Sequence, residues 1–273
     1  MNTFEKLTEA TAYLQPYHTA GAKTGVVLGS GLGNFTQEIE VTHEIPYDRI
    51  PHFPVSTVEG HHGKLLFGTI AGKPIIAMAG RFHFYEGYSP EEVAFPIRVM
   101  KFLGVETVLI SNAAGGVGQD FRVGDLMIIT DHISLAIKNP LLGPNDERLG
   151  PRFPDMSEPY KKSLIAKAKE IAKQLDIELR EGVYFGVTGP TFETRSEYEM
   201  IRILGGSAVG MSTVQEVIAA NHSGMAVFAM SVITDIGIRD EENVITHQEV
   251  LEAAKAAEPK FSSIFRELIA SLD

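Results

Sequence analysis

Apolar positions recur along this chain in two rhythms. Phe4, Leu7, Thr11 and Leu14 return at helical spacing after Thr3, which predicts an amphipathic helix ending before Pro16. Short apolar runs follow at 26–28, 64–70, 73–78, 108–110, 126–130, 183–187, 208–209 and 225–234, lengths that suit buried strands. Ala71-Gly72 turns one of these runs back into the next. Helical spacing reappears between them at 90–102, with Pro90 in the first turn, and at 160–175, 196–204, 213–222 and 246–272. Such alternation predicts a single α/β domain over residues 1–273. Residues 138–159, rich in Pro, Gly, Asn and Asp, have no apolar period and suit a functional or interfacial excursion better than a linker. Neither a fixed-period repeat nor a low-complexity tract interrupts this pattern.

The chemistry gathers where strands end. Run 26–28 empties into Gly29-Ser30-Gly31-Leu32-Gly33, whose glycines let main-chain NH groups approach a ligand and whose serine adds a hydroxyl. A dinucleotide fingerprint would want glycine where Asn34 stands, so a phosphate loop fits better, with a plain tight turn as the bland alternative. After 73–78 comes Gly80-Arg81-Phe82-His83-Phe84-Tyr85-Glu86-Gly87, in which Arg81 and His83 can hold an anion and Glu86 can orient a neighbour. Read alone, it is also compatible with a solvated turn. Run 108–110 leads into a small-residue loop, Ser111-Asn112-Ala113-Ala114-Gly115-Gly116.

Thr188-Gly189-Pro190-Thr191-Phe192-Glu193-Thr194 offers a ring to stack on a flat heterocycle and a carboxylate to accept its NH, with Ser196 the expected cap of the next helix. Val209-Gly210-Met211-Ser212-Thr213 supplies a soft apolar surface and a hydroxyl, or an ordinary N-cap. Asp235 closes run 225–234, and His247 lies just inside the last helix. In Gly60-His61-His62-Gly63 adjacent residues of an extended chain face opposite ways and no carboxylates cluster nearby, so no metal site is expected.

At 273 residues with 44% hydrophobic content the chain can bury a full core, and its net charge of -11 disfavours nonspecific binding to nucleic acid or anionic membrane. Any anion site must therefore be locally basic. The absence of cysteine excludes disulfides and thiolate chemistry. Glu5, Lys6 and Glu9 sit among the first apolar residues and no later run reaches spanning length, so a soluble cytoplasmic protein is expected.

Taken in order, the loops at 29–33, 80–88, 111–116, 143–148, 189–194 and 209–213 resemble those of the trimeric purine nucleoside phosphorylases of the inosine and guanosine type. The resemblance implies a mixed, twisted β-sheet flanked by helices, of the phosphorylase/hydrolase kind, and a homotrimer. It implies reversible phosphorolysis of purine nucleosides to base and sugar 1-phosphate, with orthophosphate as co-substrate and no cofactor. Phosphate contacts fall on Ser30, His61, Arg81, Phe82, His83, Asn112, the main-chain NH of Ala113, and Ser212. Nucleoside contacts fall on Tyr85, Phe192, Glu193, Met211, Asp235 and His247, with Phe153 covering a neighbouring subunit's sugar; His83, Glu86, Glu193 and Asp235 are the expected catalytic group.

The family's usual asparagine is Asp235 here, which leaves open a 6-amino preference of the methylthioadenosine phosphorylase kind. A dinucleotide-dependent oxidoreductase and a nucleoside sensor without activity are the readings from other classes. Arg81→Ala is expected to raise the phosphate requirement and spare the fold.

Overall fold

The computed structural model describes residues 1–18, 21–55, 57, 63–118, 120–238 and 245–272. Helix α1 (Thr3–Leu14) begins where Asn2 accepts from the Glu5 amide while the Glu5 carboxylate accepts from the Asn2 amide, and it buries Leu7, Ala10 and Leu14. The remaining helices are α2 (Pro90–Phe102), α3 (Lys162–Gln174), α4 (Arg195–Ile203), α5 (Val214–His222) and α6 (His247–Ala270). Nine strands, β1 (Thr24–Val27), β2 (Glu40–Pro46), β3 (Lys64–Ile70), β4 (Lys73–Ala79), β5 (Thr107–Gly116), β6 (Leu126–Ile133), β7 (Leu179–Gly186), β8 (Ala208–Gly210) and β9 (Ala226–Ile236), form one mixed sheet among the described residues.

The strand order is β2-β3-β4-β1-β5-β8-β7-β6-β9, and β9 returns to pair with β5. That second pairing closes β5, β8, β7, β6 and β9 into a barrel, leaving β1 to β4 as a wing. Alternate residues along β1, β4 and β5 enter two cores. Val27, Ile76, Met78 and Ile110 pack on one face with α1, α2 and α5, while Val26, Leu28, Ile75, Ala77 and Leu109 pack on the other with α3 and α6. Strand runs that read as uniformly apolar are those covered on both faces.

Three expectations are corrected. Residues Ser111 to Gly116, expected as a loop, are the second half of β5. Their small side chains let β9 come close: a Cβ on Gly115 would stand 2.9 Å from Asp235 Oδ2, and one on Gly116 2.9 Å from Ile233 and Ile236. Strand β2 was not expected, because it lies at the sheet edge with Ile45 its one buried residue and lacks an apolar run. The cap of α4 is Thr194 instead of Ser196: its Oγ accepts from the Glu197 amide at 3.2 Å and the Glu197 carboxylate accepts from the Thr194 amide at 2.7 Å.

Register decides where the loops go. Val27 lies opposite both Met78 and Ile110, so parallel strands β4 and β1 finish level and release residues 28–30 and 80–83 beside residues 111–113 of the continuing β5. The excursion at 138–159 forms no helix or strand; it is tied down where Asn221 Nδ2 donates to Pro159 O at 2.9 Å and His222 Nε2 lies 3.0 Å from Pro151 O.

Candidate functional site

At the carboxyl ends of these strands lies a cavity of about 340 Å³. Ser30, Arg81, His83, Tyr85, Asn112, Ala113, Phe192, Glu193, Met211, Ser212, Asp235 and His247 all border it. Residues separated by more than two hundred positions thus meet in one place.

Arg81, only 1% exposed, directs Nη1 to Ser111 O at 2.6 Å and Ser212 Oγ at 3.2 Å, while its Nε donates to Glu216 Oε1 at 3.1 Å. Glu216 went unnoticed in the sequence, where it looks like any acidic residue of a helix first turn. Here its buried carboxylate balances the guanidinium and fixes its plane. Ser111 Oγ accepts from the Gly29 amide at 3.1 Å and donates to Val27 O at 3.0 Å, joining the first glycine loop to β5. A Cβ on Gly29 would stand 2.8 Å from Asn112 Cα and from Ser111 O, so only glycine permits this approach. Asn112 Nδ2 donates to Thr213 Oγ1 at 2.8 Å, and the Ser212 amide donates to the Tyr184 hydroxyl at 3.3 Å. Thr213 holds φ at 73°, a strained value that aims Ser212 into the cavity from the start of α5.

His83 is fastened from behind. Glu86 Oε1 accepts from the His83 amide at 2.8 Å and lies 3.0 Å from its Nδ1, while Glu86 Oε2 accepts from the Thr57 amide at 2.8 Å and hydroxyl at 2.6 Å. Burial alone would raise the Glu86 carboxyl, but hydrogen bonds from His83 and Thr57 outweigh it and hold the group at about 2. Burial dominates at His83 and lowers its pKa, with the neighbouring Arg81 charge adding to the effect against Glu86. A neutral ring whose Nδ1–H faces a carboxylate keeps Nε2 as an acceptor. Tyr85 stacks on that ring at 4.7 Å and 15°, its phenol pushed up to about 12 by burial.

The opposite group is acidic. Asp235 Oδ1 accepts from the Thr234 hydroxyl at 3.1 Å, and its Oδ2 lies 3.3 Å from the Tyr198 hydroxyl. Glu193 shares a hydrogen bond with the same phenol, and its carboxyl is raised by burial and by the charges of Asp235 and Glu197. Apolar Phe192, Val209, Met211 and Val250 line the space around them.

Some sequence-predicted residues stand elsewhere. Phe82 faces away from the cavity into the core, 4.9 Å from Tyr47, because alternation sends its side chain opposite to that of Arg81. Glu86 acts on His83 from outside the lining. Phe153 is 88% exposed on the long loop and borders no part of the cavity. His61 lies outside the described residues. Tyr198, Tyr184, Thr213 and Glu216 escaped sequence reasoning; only the Thr-x-x-Glu spacing before α4 hinted that its first turn was positioned with care. Among the described residues no group of three or more His, Asp or Glu is arranged to hold a metal ion, and no helix is long and apolar enough to cross a membrane.

A family model described as "Phosphorylase superfamily" matches residues 23–270. Purine nucleoside phosphorylase 1 of Bacillus subtilis (strain 168) is 49% identical over 269 residues, covering 98% of this chain and 99% of its own. Isoform 2 of purine nucleoside phosphorylase from Schistosoma mansoni, solved with cytosine and ribose-1-phosphate, superposes with a TM-score of 0.93 at 43% identity, covering 99% of this chain and 97% of its own. A Schistosoma mansoni purine nucleoside phosphorylase solved with adenosine gives the same TM-score at 39% identity, covering 98% of both chains.

Proposed function

The chain belongs to the phosphorylase superfamily, and we propose that it catalyses the reversible phosphorolysis of purine nucleosides, inosine and guanosine first, giving the free base and the sugar 1-phosphate. One observation carries this reading beyond kinship: a single cavity combines a buried guanidinium flanked by hydroxyls with an apolar slot that ends in two carboxyls.

Phosphorolysis splits charge along the glycosidic bond. The sugar becomes cationic while electrons collect on the departing purine, so the site must stabilise an anion at one end and a negative leaving group at the other. Arg81, Ser30, Ser212 and the Ala113 amide hold phosphate in line below C1', and its charge supports the cationic sugar. His83, neutral with Nε2 as acceptor, takes the P–O–H of hydrogen phosphate and leaves the charged oxygens to the donors. Tyr85, Met211 and His247 border the ribose, and Phe192 stacks on the base. Glu193 meets N1, and Asp235 meets the substituent at C6 and N7, where an acid can protonate the leaving purine. Phe153 covers a neighbour's sugar in a homotrimer.

Release of hypoxanthine from inosine, followed with and without orthophosphate, tests the reaction. Product is expected only when phosphate is present; equal release in its absence would replace phosphorolysis by hydrolysis.

A further inference from the structure

Tyr198 enters the cavity from α4 and touches both acidic side chains. Its hydroxyl lies 3.3 Å from Asp235 Oδ2 and is hydrogen-bonded to the Glu193 carboxyl. A Cβ on Gly237 would collide with the ring, so the phenol is wedged against β9's end and its oxygen has little freedom. We propose that this hydroxyl keeps one proton between Glu193 and Asp235 and lets it reside on either, so that one pocket reads both 6-oxopurines and 6-aminopurines. The inference rests on the phosphorolysis reading above and adds to it a second substrate class and a positioning residue.

The argument begins with the phenol's inventory. It has one hydrogen to give and lone pairs to receive, so between two carboxyls it donates to the ionised one while accepting from the protonated one. Transfer then runs along a chain: the Glu193 acid gives its proton to the phenol oxygen as the phenol hydrogen passes to the Asp235 carboxylate. An O–H bond breaks at Glu193 and one forms at Asp235, while the phenol oxygen exchanges one hydrogen for another, so the pair's net charge does not change. Two ionised carboxylates would instead place like charges on either side of one phenol oxygen. Burial and both carboxylates raise the phenol, so it stays a neutral carrier.

Each arrangement of the proton matches one base. Adenine presents an acceptor at N1 and a donor at its amino group, which suits the Glu193 acid and the Asp235 carboxylate. Hypoxanthine presents a donor at N1 and an acceptor at O6, which suits the Glu193 carboxylate and the Asp235 acid. Both need the same total of one proton. Charges near the pair include Glu197 in the first turn of α4 and His247 from α6, whereas β5 and β8 face it with uncharged Ala113, Ala114, Gly115, Val209 and Gly210.

The test compares inosine and adenosine phosphorolysis across pH in the full-length enzyme, in Tyr198→Phe and in Asp235→Asn. The wild type is expected to cleave both nucleosides with alkaline limbs of kcat/KM that coincide, since one protonation state serves both. Tyr198→Phe keeps the ring and loses the bridge, so the alkaline limbs for inosine and adenosine should cease to coincide, separating by about one pH unit, with the phosphate KM unchanged. Asp235→Asn has no titratable proton to pass and should lower the adenosine-to-inosine ratio by about tenfold or more. A uniform loss at every pH in Tyr198→Phe, or an unmoved ratio in Asp235→Asn, would overturn the shared proton. Inosine cleavage without adenosine cleavage in the wild type would sink this inference and leave phosphorolysis standing; failure to cleave either nucleoside with phosphate would sink the parent reading.

Discussion

At the scale of single residues, the site works through partners that face away from the ligand. Arg81→Ala was expected to raise the phosphate requirement and spare the fold, but the Arg81 Nε supports the buried Glu216 carboxylate, and truncating one member of such a pair costs about 3–5 kcal/mol. Arg81→Ala would therefore confound binding with folding. Arg81→Lys retains the charge and loses the planar fork, so the phosphate KM should rise roughly 10- to 100-fold, measured by initial rates at saturating inosine, with the unfolding midpoint nearly kept. Glu86 makes a second prediction. Its folded pKa of about 2 lies below its ordinary 4.5, so the stability it contributes is complete above about pH 4.5 and is lost as pH falls toward 2. His83 acts in the same sense at higher pH: its lowered pKa means the unfolded chain takes up its proton first as pH falls through the usual histidine range. Glu86→Gln should flatten the loss of stability below pH 4.5, read from urea midpoints as a function of pH; a curve parallel to the wild type would remove Glu86 from that role.

At the scale of elements, strand ends supply position and helix caps supply aim. Thr194 caps α4 immediately after Phe192 and Glu193, and the reciprocal bonds with Glu197 hold that turn in place. Losing such a cap costs about 1 kcal/mol. Thr194→Ala should lower the melting temperature slightly and raise the nucleoside KM several-fold while the phosphate KM stays put, because the anion contacts come from β1, β4, β5 and α5 instead. A phosphate KM that moves in parallel would show that the two halves of the cavity are not independently supported. The same scale explains where prediction from pattern succeeded. Pro90 with Ser89 and Glu92 sets the first turn of α2 by local chemistry, and both its ends were legible. Strand β2 was illegible because an edge strand needs few apolar residues, and the end of β5 because small residues there serve close packing instead of turning.

At the scale of the whole molecule, an acidic chain holds its anion site by burial. A net charge of -11 repels phosphate in bulk, so the guanidinium must act locally in the low-dielectric floor of the cavity. The long loop carries the complementary feature at the surface, since Phe153 exposes a ring that its own chain leaves uncovered. If that ring closes a neighbour's sugar site, Phe153→Ala should raise the inosine KM by about tenfold or more without changing the phosphate KM. Kinetics paired with sedimentation check this, and a normal KM in an intact oligomer would confine Phe153 to the surface.

The alternation of strand and helix, the glycine loops and the identities of Arg81, His83 and Glu193 were decided by the linear chain, because period, turn chemistry and side-chain inventory are local properties. Closure of the barrel through β5 and β9, the Glu216 support beneath Arg81 and the bridge of Tyr198 to Asp235 were decided only in three dimensions. Each depends on residues far apart in sequence meeting at contact distance, and no local pattern encodes which carboxylate will lie behind which guanidinium.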